Sequence, residues 1–161
     1  MLDWEYEKMM VARQVAEPLV VDALFNNYTI PEGEIYTCKN DFFSKYVKKL
    51  GRTIYEPTVR LDIPDKYHII SQVLGDGDII FCLENFPRLH TACFLMKSTF
   101  IGGQKRFEDL FSVYPPKVIL QFARRIKYNS GHSYNCAWFI WEKGWRGETT
   151  VRWISKFTSD Y

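Results

Sequence analysis

Residues 136–141 read Cys136-Ala137-Trp138-Phe139-Ile140-Trp141, six consecutive apolar side chains. Such a run is too short for a buried helix and too uniform for a strand with one wet face. It reads as a strand buried on both faces, in the middle of a sheet covered by helices. Residues 127–135, rich in Asn, Ser, Gly, Tyr and His, read as a loop before it, and Gly144 to Thr149 as a polar turn after it.

Working back from that strand, Val118 to Phe122 and Ala92 to Met96 read as further strands, and Gln104 to Phe111 as a short helix between them, stopped by Tyr114-Pro115-Pro116. Ile79 to Leu83 reads as another apolar strand, and Pro64 to Leu74 as a helix, because Tyr67, Ile70, Val73 and Leu74 recur at helical spacing ahead of Gly75-Asp76-Gly77. Nearer the N-terminus, Glu34 to Cys38, Phe42 to Leu50 and Arg52 to Tyr55 form a strand, helix, strand unit, the seed of an open α/β sheet. Trp4 to Asn26 carries Met9, Val11, Val15, Leu19 and Ala23 at helical spacing, with Pro18 as a break and a fresh first turn. Two N-terminal helices follow. One distance is awkward: if 79–83 and 92–96 are parallel neighbours, the segment joining them is shorter than the dozen or so residues a crossover needs. Either these strands form an antiparallel hairpin or one of them is misplaced.

At 161 residues, with 47% hydrophobic, 17% aromatic and 25% charged side chains, the chain is expected to form one domain, 1–161, with its own core. No apolar run approaches the roughly 18 residues of a membrane span, and Met1 to Met10 lacks a signal-peptide apolar stretch, so a soluble cytoplasmic protein is expected. Cys38, Cys82, Cys93 and Cys136 form no Cys-x-x-Cys pair, and His68, His90 and His132 have no zinc-like spacing; free thiols and no metal are expected. Net charge is +2, but residues 97–161 hold 11 Lys and Arg against 5 Asp and Glu. That basic half suits a nucleic acid or an acidic partner.

The C-terminal half resembles the SAM-dependent DNA adenine methyltransferases that phages and bacteria carry. Phe94-Leu95-Met96-Lys97 through Gly103-Gln104-Lys105-Arg106-Phe107 resembles the family's fifth strand with its following loop and helix. Pro115-Pro116-Lys117-Val118 through Arg125 resembles the sixth strand, and Ala137-Trp138-Phe139-Ile140-Trp141-Glu142-Lys143-Gly144 the seventh. The resemblance implies an α/β fold, a trimmed Rossmann-like methyltransferase sheet with a helical N-terminal segment, whose last strands build an antiparallel end.

It also implies two places for chemistry. The first is a glycine-rich turn after strand one, where the backbone approaches SAM, with an acid after strand two for the ribose. The matching stretch, Cys38-Lys39-Asn40-Asp41-Phe42-Phe43, has no glycine, and its lysine and two phenylalanines stand where a cofactor would need room; Asp41 and Glu56 are the carboxylates left to hold SAM. The second is an Asp/Asn-Pro-Pro-aromatic motif after strand four, which holds the amino group of a flipped adenine. Asp62-Ile63-Pro64-Asp65 and Glu84-Asn85-Phe86-Pro87 are imperfect versions of it, with Asp62 or Asn85 in the amino-group role. Losing the glycines, the proline pair and a crossover helix together points to a scaffold kept without methyl transfer.

Other chemistry is weaker. His90 and Cys93, three apart on one strand, point to opposite faces. Asp76 with Asp78 and Glu108 with Asp109 read as turn and helix-surface residues. There is no phosphate loop, and Gly102-Gly103-Gln104-Lys105 is only similar to an anion site at a helix start. Lys105, Arg106, Arg124, Arg125, Lys127 and Arg146, interleaved with Tyr128, Tyr134 and Trp145, offer a basic aromatic surface to a DNA or RNA backbone or to a partner protein. The reading is therefore a non-catalytic macromolecule-binding protein on a degenerate methyltransferase scaffold, a phage-type inhibitor of a host defence or nucleic-acid system, with no cofactor. Its partner would be a host protein or protein–nucleic-acid complex. The alternatives are a small SAM-dependent DNA adenine methyltransferase and a SAM-binding protein that does not methylate.

Overall fold

A computed structural model describes residues 3–38, 40–57, 62–72 and 75–155. Its centre is a six-stranded sheet in the order β1-β2-β3-β7-β4-β8: β1 (Glu34–Tyr36), β2 (Tyr67–Ser71), β3 (Leu89–Lys97), β4 (Val118–Phe122), β7 (Cys136–Glu142) and β8 (Thr150–Ile154). A separate ribbon, β5 (Ile126–Lys127) with β6 (Ser133–Tyr134), forms within the segment expected to be a loop. β1, β2 and β3 run parallel, while β7 is antiparallel to both its neighbours, β3 and β4. The fold is thus α/β and Rossmann-like, with a parallel half and an antiparallel end built by the three strands that carry the sequence resemblance. β7 is buried along Cys136–Trp141, on both faces, as its composition requires.

Helices cover both faces. α1 (Asp3–Ala12) and α2 (Leu19–Asn27) are separate, with Pro18 (φ −66°) at the start of α2, where its missing N–H costs nothing. α2 and α3 (Asp41–Lys49) pack against Ile35, Ile70, Cys93, Leu95 and Trp138 on one face. α4 (Asp76–Asn85) and the turn following α5 (Gln104–Arg106) pack against Ile69, Ala92, Phe94, Phe139 and Trp141 on the other. Each core tryptophan finds an acceptor in its own covering layer: Trp138 Nε1 donates to the Val20 carbonyl at 2.9 Å and Trp141 Nε1 to the Tyr114 carbonyl at 2.8 Å.

Two assignments exchange places. The stretch expected as a helix, 64–74, holds strand β2, and the expected strand 79–83 lies inside helix α4. All of β2 is buried between two parallel neighbours, so Tyr-His-Ile-Ile-Ser is a central strand, and its three-and-four spacing is coincidental. Gly75, read as a stop, is instead the N-cap of α4; Asp76 and Asp78 stand in the first turn, where the helix dipole favours them. Consequently the crossover helix is present, and residues 72–88 connect β2 to β3. The expected strand at 52–55 is reduced to a parallel bridge between Ile54 and Ile35, so the sheet is indeed trimmed at that edge. β8 is a strand that the sequence reading did not contain. No helix among the described residues is long and apolar enough to cross a membrane.

Candidate functional site

Because β1, β2, β3 and β4 all point the same way, their carboxyl ends share one edge of the sheet. In open α/β sheets ligands bind in the crevice outside those ends. Here that crevice is a cavity of about 580 Å³. Its floor is Asn40 after β1, Gln72 after β2, and Leu95, Met96, Lys97 and Thr99 at the end of β3. Phe100 and Arg106 form one wall, the β5–β6 ribbon with Tyr128, Ser130, His132 and Tyr134 another, and the end of α1 with the turn after it, between Met9 and Gln14, the roof.

The roof is fastened through main-chain groups. The Ala16 N–H donates to the Lys127 carbonyl at 2.9 Å, that of Asn129 to Gln14 at 2.9 Å, and that of Ser130 to Ala12 at 3.1 Å. Gln72 supplies the other tie: its Oε1 accepts from the Val15 N–H at 3.1 Å, and its Nε2 donates to the Arg13 carbonyl at 2.8 Å. The side chain thus imitates a strand partner, and both ends of its amide are engaged.

The turn after β1 keeps a left-handed residue without glycine: Cys38 has φ +53°. The neighbouring Cys82 thiol, and then the Ser71 hydroxyl, hold the Cys38 thiol below its ordinary range against the opposing effect of burial. Asn40 caps α3, its Oδ1 accepting from the Phe43 N–H at 3.1 Å. Phe42 and Phe43 do not fill the cofactor space as expected. Both belong to α3, where Phe43 is buried with its ring centroid 5.7 Å from that of Trp138, and Phe42 packs on Tyr46; neither lines the cavity.

Electrostatics of the crevice are one-sided. Arg13, Lys97, Arg106 and His132 line it, and no Asp or Glu does among the described residues. Lys97 Nζ lies 3.8 Å from the Tyr134 ring centroid. Arg106 stacks on Phe100 at 4.2 Å and donates from Nη1 to the Phe100 and Gly102 carbonyls, each at 3.0 Å. Its Nε is buried without a hydrogen-bond partner, 3.9 Å from Asp76.

The residues expected to carry chemistry are scattered. Asp41 and Glu56 are exposed and outside the cavity lining, although Glu56 does lie just past the carboxyl end of the Ile54 bridge. Asp62 is exposed, ahead of β2, and Asn85 ends α4 with its amide on the Phe81 carbonyl. Both lie towards the amino edge of the parallel strands, away from the crevice, and Asn85 is the last residue of a helix where a strand is expected before it. Of the basic aromatic set, Arg106, Tyr128 and Tyr134 line the cavity, while Lys105, Arg125 and Lys127 are exposed on the same edge. Arg124 is held by Glu17 at 2.7 and 3.0 Å, Lys105 by Asp109 at 3.0 Å. Trp145 and Arg146 follow the antiparallel β7 and so fall at the opposite edge, where Arg146 donates to the Val113 carbonyl. Lys39 lies outside the described residues. Arg13, Gln72, Lys97 and His132 escaped the sequence reading as site residues; placing β2 correctly would have singled out Gln72 as the residue after the strand that precedes the fifth.

No family model matches the chain, and no curated protein matches it. Among solved structures, it is similar to the 23S rRNA methyltransferase ErmE, with a TM-score of 0.43 and 10% sequence identity, over 84% of this chain and 71% of that one. A likeness that loose bears on neither activity nor substrate.

Proposed function

We propose that this chain is a binding protein for a nucleic-acid-containing partner, built on a methyltransferase-like sheet, and that it transfers no methyl group. The state of Gln72 carries the reading. In the methyltransferases that the sequence resembles, the polar side chain after the fourth strand must be free to hold the target amino group. Gln72 stands at that place, followed by Val73 and Leu74 where the motif has prolines, and its amide is consumed by the roof. The charge of the crevice supports the same reading: SAM brings a sulfonium and an ammonium, and only cations among the described charged residues line the cavity. The exposed Arg125 and Lys127 give the carboxyl edge a surface suited to a phosphate backbone. A phage-borne factor directed at a host defence or nucleic-acid complex is the setting that fits such a scaffold.

Calorimetry with SAM is expected to give no saturable heat, and labelled methyl transfer to DNA no incorporation; either signal would restore the enzyme reading. Anisotropy with labelled DNA and RNA is expected to show binding that weakens as salt rises, with a log–log slope shallower by about 1 for each of Arg125→Ala and Lys127→Ala. Salt-independent binding, or none, would overturn the nucleic-acid part. Capture from host lysate with and without nuclease then tells a protein partner from a nucleic-acid one.

A further inference from the structure

We infer that the roofed crevice is a binding site for a small phosphorylated ligand with a flat ring, in chemical class a nucleoside phosphate. This site is distinct from the outer surface proposed to meet a macromolecule. Three cationic side chains, Arg13, Lys97 and Arg106, reach it from three different elements, and His132 adds a fourth nitrogen donor. The carboxylate that meets one of them, Asp76, is not a lining residue. A concentration of positive charge with so little compensation is stable when an anion of more than one charge enters, and guanidinium and ammonium groups match phosphate oxygens.

Size and lining then select the rest of the ligand. A cavity of about 580 Å³ falls within the roughly 300–1,000 Å³ of small-molecule sites, far more than a bare phosphate fills. The roof adds the half-buried Met9 and Met10, apolar and adaptable, which suit the face of a base. Tyr134 and Phe100 already hold Lys97 and Arg106 by their ring faces, so two of the cations are positioned before a ligand arrives. The main-chain ties from Ala12 to Ala16 onto residues 127–130 close one side, which admits a mononucleotide and obstructs a continuous strand.

The test is calorimetry on the full chain with the four ribonucleoside monophosphates, adenosine and inorganic phosphate, beside anisotropy with an oligonucleotide. At least one nucleotide is expected to bind saturably, with adenosine and phosphate each weaker by roughly tenfold or more. Lys97→Met and Arg13→Met are each expected to weaken that nucleotide by about tenfold while leaving thermal stability intact, and Lys48→Met, exposed on α3 and outside the cavity, to leave nucleotide binding unchanged. Failure of all four nucleotides, or wild-type binding by both cavity variants, overturns the inference. Oligonucleotide binding without nucleotide binding removes this site and leaves the macromolecule reading standing; nucleotide binding without oligonucleotide binding does the converse.

Discussion

Gln72 joins two segments of chain that lie nearly sixty positions apart, by giving a strand-like pair of hydrogen bonds from one side chain. Gln72→Ala leaves the Val15 N–H and the Arg13 carbonyl without these partners, at a cost of about 1–2 kcal/mol. The expected outcome is a lowered Tm together with faster hydrogen exchange at the Val15 amide; unchanged exchange there would show that the roof stands without it. At this scale the sequence was least informative. A family motif needs a carboxylate or amide, which points to Asp41, Glu56, Asp62 and Asn85, yet none of them lines the crevice. Arg13 and His132 carry no motif at all, since they reach the cavity only because α1 and the ribbon fold over it.

Among elements, what was legible followed burial pattern. β7, β3 and β4 could be read because runs of apolar residues with no helical phase have one solution in a covered sheet. The exchange between β2 and α4 shows the limit of the same rule: a five-residue central strand and a ten-residue helix both present compact apolar runs, and only the neighbours decide. Gly75-Asp76-Gly77-Asp78 looked like a terminator, whereas two acids after a glycine also open a helix. α3 offers a cleaner case. Its cap is Asn40, and Asn40→Ala is expected to lower stability by about 1 kcal/mol, checked by urea unfolding. A loss near zero would mean that water or a neighbour replaces the cap.

For the molecule as a whole, acid sensitivity is written into the amino edge of the sheet. His68 is fully buried with Nδ1 lacking a hydrogen-bond partner and Nε2 3.3 Å from the Glu32 carbonyl. Burial first, and then the nearby His90, Arg52 and Lys66, lower its pKa from 6.5 to about 4, although the Glu32 carbonyl opposes this. The unfolded chain therefore binds the extra proton first as pH falls, so this stability is intact above pH 6.5 and drains away between 6.5 and about 4. By pH 5 the loss is expected to reach about 2 kcal/mol, read from urea midpoints. A His68→Asn variant, less stable throughout, should show a shallower slope; an equal slope would assign the effect to another group. Glu142 is not that group, because a carboxyl lowered from 4.5 gives up its stabilisation only as pH falls below that value. The carboxyl of Glu142 is pushed up by burial but held lower overall by hydrogen bonds from Tyr28 and Lys117. The placement of β7 has a consequence for how the protein is made. β3 and β4 meet only through β7, which comes after both in the chain. During synthesis, then, the two finished strands wait with their facing edges bare until residues 136–142 leave the ribosome and slot between them. Chains interrupted before that point keep two open edges, the form of nascent product most prone to stick to its own kind.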